Sequence, residues 1–209
     1  ANDIFAMKGG TAINLFVRDM PRLSVDIDVV YTPRHTRREE ALRAISAETR
    51  AIASRLQKMG LTTRAVASQD LGESKLIVES DSAQVKIEVN AVFRGTVLAP
   101  NRRSLHPTTA ERFSADVEVP TLAADELYGS KLVAALDRQH PRDLFDFWQM
   151  QQSGGISEAM LECFVVYLAG HNRPIHEVLF SRDKDFSREF REGFAGMTRE
   201  PIELDTLVD

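Results

Sequence analysis

Residues 7–31 read MKGGTAINLFVRDMPRLSVDIDVVY, and this stretch decides the fold assignment. A pair of glycines stands where an apolar helical pattern begins, and a helix start offers free backbone N–H groups to a phosphate. Residues 24–31 read as a strand, in which successive side chains point to opposite faces. Asp26 and Asp28 are therefore expected on one face, where their like charges require a cation such as Mg²⁺. The stretch predicts half of a metal-dependent, phosphate-handling site.

The remaining sequence predicts strands first and helices afterwards. An amphipathic pattern indicates a helix over residues 37–59, and alternation of apolar and polar side chains indicates a strand over residues 84–93. Residues 62–67 and 74–79 predict two more strands, and residues 100–120 read as a loop with one further strand near its end. Three helices are expected after that: the first capped by Thr121, the second beginning at Pro141, and the third over residues 157–169.

The composition is that of an ordinary globular protein. The chain has 209 residues, of which 43% are apolar, and this length fits one domain or a core with a helical appendage. A net charge of −5 argues against a nonspecific basic coat for nucleic acid, although Arg138, His140 and Arg142 form one of several basic clusters. The single cysteine, Cys163, lies in an apolar helical pattern, and we expect a buried, inert thiol in a reducing cytoplasm.

Four segments follow one another between residues 8 and 148: KGGTAINLF, RLSVDID, KIEVN and SKLVAALDRQHPRDLFDFW. In this order they resemble the AbiEii/AbiGii-type toxins of type IV-like toxin–antitoxin systems, within the nucleotidyltransferase superfamily. The resemblance implies an α+β fold, with a nucleotidyltransferase-like mixed β-sheet core flanked by helices in residues 1–120. A C-terminal helical region in residues 121–209 is expected to contribute to the site. Family members usually carry more sequence before the first motif, so we expect a truncated N-terminus.

The resemblance assigns a metal site to three carboxylates. Asp26 and Asp28 would bind Mg²⁺ or Mn²⁺, which bridges the phosphates of the NTP substrate and can lower the pKa of an attacking hydroxyl. Glu88 is the candidate third ligand, because it lies on the alternating strand and because nucleotidyltransferases often use a third acid to activate the acceptor. The alternative for Glu88 is the polar face of an ordinary strand.

The same resemblance assigns nucleotide binding to two distant parts of the chain. Gly9, Gly10 and Thr11 would hold the triphosphate through backbone N–H groups and a hydroxyl, with plain turn glycines as the alternative. Ser24 would touch phosphate or be phosphorylated by a kinase-like antitoxin, unless its hydroxyl only satisfies a strand end. The later residues are the phosphate ligands Lys131 and Arg142 and the family's essential acid, Asp146.

The function implied by the resemblance is transfer of a nucleoside monophosphate from an NTP to an acceptor. In the family the acceptor is most often the 3′ end of tRNA, whose blockage stops translation. The expected partners are the NTP, tRNA and a cognate antitoxin protein, in the cytoplasm and without a membrane. Two alternatives stay open: nucleotidylation of a protein such as the antitoxin, and a module that binds nucleotide or RNA without turnover. The presence of the expected site residues together argues against the module; these are Asp26, Asp28, Glu88, Lys131 and Asp146.

Overall fold

The computed structural model describes residues 4–68, 72–90, 93–181 and 184–208, and its architecture is α+β, as the sequence predicts. The strands are β1 (Phe5–Lys8), β2 (Ile27–Tyr31), β3 (Thr62–Ser68), β4 (Gly72–Glu79), β5 (Gln84–Asn90), β6 (Asn101–Ser104) and β7 (Glu118–Thr121). Within the described residues they form one sheet of seven strands, in the order β3-β4-β5-β2-β1-β7-β6. The sheet is mixed, because β2 runs parallel to β5 but antiparallel to β1.

The helices lie mostly in the second half of the chain. They are α1 (Gly9–Ala12), α2 (Arg38–Lys58), α3 (Pro107–Phe113), α4 (Ala124–Arg138), α5 (Pro141–Gln151), α6 (Glu158–Ala169), α7 (Ile175–Leu179), α8 (Ser187–Gly193) and α9 (Asp205–Val208). A π-helical turn, Ile13–Val17, continues α1. Among the described residues, no helix combines the length and the apolarity needed to cross a membrane.

Two compact units make up the chain, and their boundaries do not follow sequence order. The first consists of Ala1–Ala12, Ser24–Leu105 and Asp116–Leu122, and the second of Ile13–Leu23, His106–Ala115 and Ala123–Asp209. The first unit contains the sheet and α2, whereas the second contains the π-helical turn and the helices from α3 onward. The division that the sequence predicts at residue 120 stays a prediction.

The core of the first unit lies between the sheet and α2. Val29 and Tyr31 of β2 and Val89 of β5 pack with Ala41 and Ile45 of α2, and all five side chains are buried. Because side chains alternate along a strand, the residues between these positions point to the opposite face of the sheet. That opposite face carries the charged residues of β2 and β5.

Strand β2 begins at Ile27, three residues later than the sequence pattern predicts. The pairing with β1 stops at Asp28, the partner of Lys8, because the chain turns at Gly9 into α1, and the pairing with β5 stops at Ile27, the partner of Ile87. Residues 24–26 consequently have no partner on β1.

Other boundaries also differ from the sequence-based expectations. Strand β5 ends at Asn90; residues 91–92 of its predicted extension lie outside the described residues, and Phe93 is not in a strand. Residues 100–120, predicted mostly as loop, contain β6, α3 and β7. Thr121 does not cap a helix, because it is the last residue of β7 and α4 starts after Ala123. Pro141 does begin α5, as predicted.

The second unit is built on close helix packing and an aromatic cluster. Helices α4 and α6 meet at Gly129, where an added Cβ would lie 2.8 Å from the Cβ of Cys163 and from the Met160 carbonyl oxygen. Burial raises the pKa of the Cys163 thiol to about 11, which agrees with the predicted inert cysteine. Phe145 packs with Phe190, Phe194 and Leu207, so it is a core residue.

Candidate active site

Strand pairing in the first unit aligns four charged residues in one row. Lys8 of β1 pairs with Asp28 of β2, Asp28 pairs with Glu88 of β5, and Glu88 pairs with Lys75 of β4. Paired residues in a sheet point to the same face. Two carboxylates are therefore neighbours on that face, and a lysine stands on each side of them.

Asp28 lies directly against the glycine turn. A Cβ added at Gly9 would be 2.5 Å from Oδ2 of Asp28, and Gly9 also has a φ of +74°, which favours glycine. Burial is the main reason that the pKa of Asp28 lies above its usual value; Lys8 opposes this shift and Glu88 adds to it. A partly buried carboxylate with another acid beside it is a poor anion on its own and a good ligand for a cation.

Lys86 links Glu88 of this face to Asp26, which lies just before β2. Its Nζ lies 3.3 Å from Oδ2 of Asp26 and 3.2 Å from Oε2 of Glu88. In the part of the chain that the structure describes, no three His, Cys, Asp or Glu side chains converge as a metal-binding group. A divalent ion of the Mg²⁺ type does not need such a group, because Mg²⁺ is usually held by one or two carboxylates together with substrate phosphates and water. The carboxylate oxygens of Asp26, Asp28 and Glu88 are hard donors of this kind, and Asp28 lies near enough to the other two for their charges to raise its pKa.

Two hydroxyls fasten the segment before β2 to α1. Thr11 donates a hydrogen bond to the backbone carbonyl of Asp26, and its Oγ1 lies 3.0 Å from Oγ of Ser24. Ser24 and Asp26 are therefore held by side-chain contacts outside the strand, and the expectation that they share the strand with Asp28 is wrong. The structure still brings Thr11, Ser24, Asp26 and Asp28 together in the first unit at the start of α1.

The second unit contains a buried ion network centred on Asp146 of α5. Arg22 Nε donates to Oδ1 of Asp146 at 2.7 Å, and the guanidinium also contacts Oδ2, so the pair is bidentate. The side chains are 3% exposed for Arg22 and 1% for Asp146. Burial disfavours the Asp146 anion, but the charges of Lys131 and Arg22 outweigh burial, and the pKa of Asp146 lies below its usual value. Asp146 is therefore ionised at neutral pH.

Lys131 of α4 bridges Asp146 to a second aspartate. Its Nζ lies 3.1 Å from Oδ2 of Asp146 and 3.0 Å from Oδ1 of Asp143, and it is buried. Burial disfavours the ammonium, but the two carboxylates outweigh burial and raise the pKa of Lys131. Arg138, whose side chain is 60% exposed, contacts the other oxygen of Asp143 at 2.8 Å. The network thus extends from the interior to a solvent-accessible cation.

Sequence reasoning missed Arg22 and Asn14 as members of this network. Asn14 is fully buried in the π-helical turn; its amide nitrogen donates to Asp146 at 3.3 Å, and its oxygen accepts from the Arg22 backbone N–H. A single polar residue inside an apolar helical pattern was the available signal for Asn14, since a buried amide needs partners. Arg22 follows a proline in a turn, and such a position gives no periodic signal.

The predicted site residues fall into two sets. Gly9, Thr11, Ser24, Asp26, Asp28 and Glu88 come together in the first unit, and Lys131 and Asp146 come together in the second. Arg142 is exposed in the first turn of α5, where its backbone N–H donates to Nδ1 of His140 at 3.2 Å. The expectation that both sets serve one cleft stays a prediction.

Comparison with known proteins places these features in a family. No curated protein matches the sequence. The solved structure of MenT4, a nucleotidyltransferase toxin from Mycobacterium tuberculosis H37Rv, is similar to this chain with a TM-score of 0.65. Their sequences are 15% identical, and the match covers 99% of this chain and 72% of MenT4, so it establishes similarity of fold. A family model described as nucleotidyl transferase AbiEii toxin, type IV toxin–antitoxin system, matches residues 1–209, and the chain therefore belongs to the AbiEii family of nucleotidyltransferase toxins.

Proposed function

We propose that this toxin transfers a nucleoside monophosphate from an NTP to the 3′ end of tRNA and releases pyrophosphate. The observation that carries the proposal is the contact between the Asp28 carboxylate and the glycine turn, beside Glu88. Backbone N–H groups at the start of a helix favour a phosphate. A phosphate held there would lie next to carboxylates, and negative groups at such distances need a cation between them.

The first unit would bind the reacting end of the NTP. Asp26, Asp28 and Glu88 would hold Mg²⁺ or Mn²⁺. The bound metal would neutralise the negative charge of the phosphates and lower the pKa of the acceptor hydroxyl. Gly9 and Gly10 would donate backbone N–H groups to the triphosphate. The hydroxyls of Thr11 and Ser24 keep the segment that carries Asp26 next to this turn.

The second unit would supply a positioned cation. An ammonium has three N–H donors, and Asp143 and Asp146 occupy two of those of Lys131. The third can donate to a nucleotide phosphate. Both oxygens of Asp146 accept hydrogen bonds from Arg22, and the pKa of Asp146 lies below its usual value. We therefore infer that Asp146 holds Lys131 in place and does not carry a proton. Arg142, exposed on the same helix, is a further candidate phosphate ligand.

The test uses each NTP labelled at either the α or the γ phosphate, with total tRNA and the cognate antitoxin offered as acceptors. We expect the α label in tRNA and the γ label in pyrophosphate, both abolished by chelation of the metal. An α label found in protein instead of tRNA would replace the acceptor in this proposal by a protein. Transfer of the γ label would mean phosphorylation and would contradict nucleotidyl transfer.

The acceptor requires local positive charge, because the chain as a whole is acidic. Arg34, Arg37 and Arg38 are exposed where α2 begins, and we propose that they contact tRNA phosphates along with the cluster around Arg138. Replacing the three by Ala should weaken tRNA modification and flatten its salt dependence while NTP binding persists. Arg55→Ala, near the other end of α2, serves as a single control that removes one arginine charge outside this group. Equal salt slopes in the triple variant and the wild type would remove these residues from the RNA surface.

A further inference from the structure

Lys86 occupies the place between two of the carboxylates that would bind the metal. Its ammonium contacts Oδ2 of Asp26 and Oε2 of Glu88 at 3.3 and 3.2 Å. Lys86 and Glu88 are two residues apart on β5, so both side chains project from the same face of the sheet. This face carries Asp28 and Glu88, and Lys86 links Glu88 to Asp26, which lies just before β2.

The other lysines of this face are placed differently. Lys75 contacts Glu88 alone, at 3.5 Å, and Lys8 is paired with Asp28 through the strand register. In the contacts described, Lys75 does not bridge two candidate ligands. The Lys86 ammonium therefore lies where a metal would lie if it bound Asp26 through Oδ2 and Glu88 through Oε2.

We propose that Lys86 is a built-in counter-cation that competes with the divalent metal for Asp26 and Glu88. This inference rests on the proposed metal site. The two oxygens that Lys86 contacts cannot bind an ammonium and a metal ion at full strength at once. A metal that binds Asp26 and Glu88 through these oxygens therefore releases the lysine. The released ammonium is then free to accept a new anionic partner, and the triphosphate that arrives with the metal supplies one.

The exposure of the three groups makes this exchange feasible. The side chains of Lys86, Asp26 and Glu88 are 35%, 46% and 40% exposed. Ion pairs at such exposure are weak, because water screens the charges and the long lysine side chain loses conformational entropy when fixed. The lysine therefore neutralises the acids without metal and gives way when a doubly charged ion arrives.

The test measures Mn²⁺ binding without nucleotide, by calorimetry, in the wild type and in Lys86→Met. The bridging ammonium should weaken metal binding, so the variant should bind Mn²⁺ about tenfold more tightly, equivalent to ~1.4 kcal/mol. Lys58→Met is the control: it removes the same charge from the exposed end of α2 and should leave the dissociation constant near that of the wild type. Equal tightening in both variants, or none in Lys86→Met, overturns the competition.

A second measurement uses the unaltered protein and does not depend on whether a variant folds. Acetylation of lysines by an amine-reactive ester, read by mass spectrometry, should rise at Lys86 when Mn²⁺ is added and stay constant at Lys58. Unchanged labelling of Lys86 at saturating Mn²⁺ contradicts release. Asp28→Asn distinguishes failure of the competition by Lys86 from failure of the metal site itself. If the wild type binds Mn²⁺, Asp28→Asn does not, and Lys86→Met binds it as the wild type does, only the competition fails. If the wild type and Lys86→Met both fail to bind Mn²⁺, the metal site and the inference fail together.

Discussion

The substitution Arg22→Met tests whether the ion network of the second unit is an energetic unit. Arg22 donates to both oxygens of Asp146, and both side chains are almost fully buried. Methionine preserves much of the apolar volume of the arginine stem but removes the guanidinium. The change leaves Asp146 with Lys131 at 3.1 Å as its counter-ion and Asn14 as a weaker partner.

The expected loss of stability follows from this geometry. Removing one partner of a buried ion pair costs about 3–5 kcal/mol, because the other charge stays buried without full compensation. Since Lys131 still neutralises part of the Asp146 charge, we expect the lower end, about 3 kcal/mol. For a chain of this size each kcal/mol lowers Tm by about 2–4 °C, so Tm should fall by about 6–12 °C.

The assay is urea denaturation followed by circular dichroism, with Tm measured in parallel. The matched control is Arg188→Met, which breaks an exposed pair with Glu192 on α8 and should shift Tm by less than about 2 °C. The double variant Arg22→Met/Asp146→Leu removes both charges. It should lose about 2 kcal/mol less than the sum of the two single variants, because charges in one network are coupled.

Two results would refute this reasoning. If Arg22→Met is no more destabilising than Arg188→Met, the bidentate contact contributes nothing to stability. If the double variant equals the sum of the single variants, Arg22 and Asp146 are not coupled, and the network cannot be what positions Lys131.

Three further predictions concern the glycines and the acid titration. Gly9→Ala should abolish nucleotidyl transfer, measured by label incorporation, and should lower Tm. The reason is that a Cβ at φ +74° is strained and meets the Asp28 carboxylate. Normal transfer by this variant would disprove the close approach of Gly9 to Asp28. Gly129→Ala should destabilise the protein by about 1–3 kcal/mol in urea titration, because the added Cβ overpacks α4 against α6. The folded fraction of this variant should still bind NTP. An unchanged urea midpoint would contradict the close packing of α4 and α6. The pKa of Asp146 is lower in the folded state than its ordinary value of 3.8. The ionised carboxylate therefore contributes its full stabilisation above pH 3.8, and this contribution is lost as the pH falls through the lower folded pKa. Over that acidic range the urea midpoint of the wild type should drop, and that of Arg22→Met/Asp146→Leu should drop less.

The motifs predicted the family and the α+β fold, and both predictions are confirmed by the family match and the fold similarity. Periodic patterns were sufficient for α2 and for β5 up to Asn90, since both depend on local side-chain spacing. The preference of proline for the first helical position was sufficient for the start of α5 at Pro141. Glu88 was expected to join Asp26 and Asp28 as a third carboxylate, and the strand register places it beside Asp28.

Features that depend on tertiary contacts were beyond local patterns. The contact between Arg22 and Asp146 joins residues 124 positions apart, and no spacing rule connects them. The late start of β2 at Ile27 depends on where its pairing with the two neighbouring strands stops, which is not a property of its own sequence. The bridging role of Lys86 was likewise hidden, because an alternating lysine on a strand reads as an ordinary exposed residue.

The proposed site of nucleotidyl transfer is tested by comparing two variants, Asp28→Asn and Asp81→Asn. The measurement is the transfer of the α-phosphate label from NTP to tRNA by each variant. Both variants make the same chemical change at different places. Asp28 lies beside Glu88 on one face of the sheet, here called the acidic face, and Asp81 is exposed in the turn between β4 and β5. We expect Asp28→Asn to fold, judged by an unchanged circular dichroism spectrum, and to lose label transfer to the background level, while Asp81→Asn transfers label as the wild type does. Wild-type transfer by a folded Asp28→Asn would contradict the assignment of the acidic face as the site of nucleotidyl transfer.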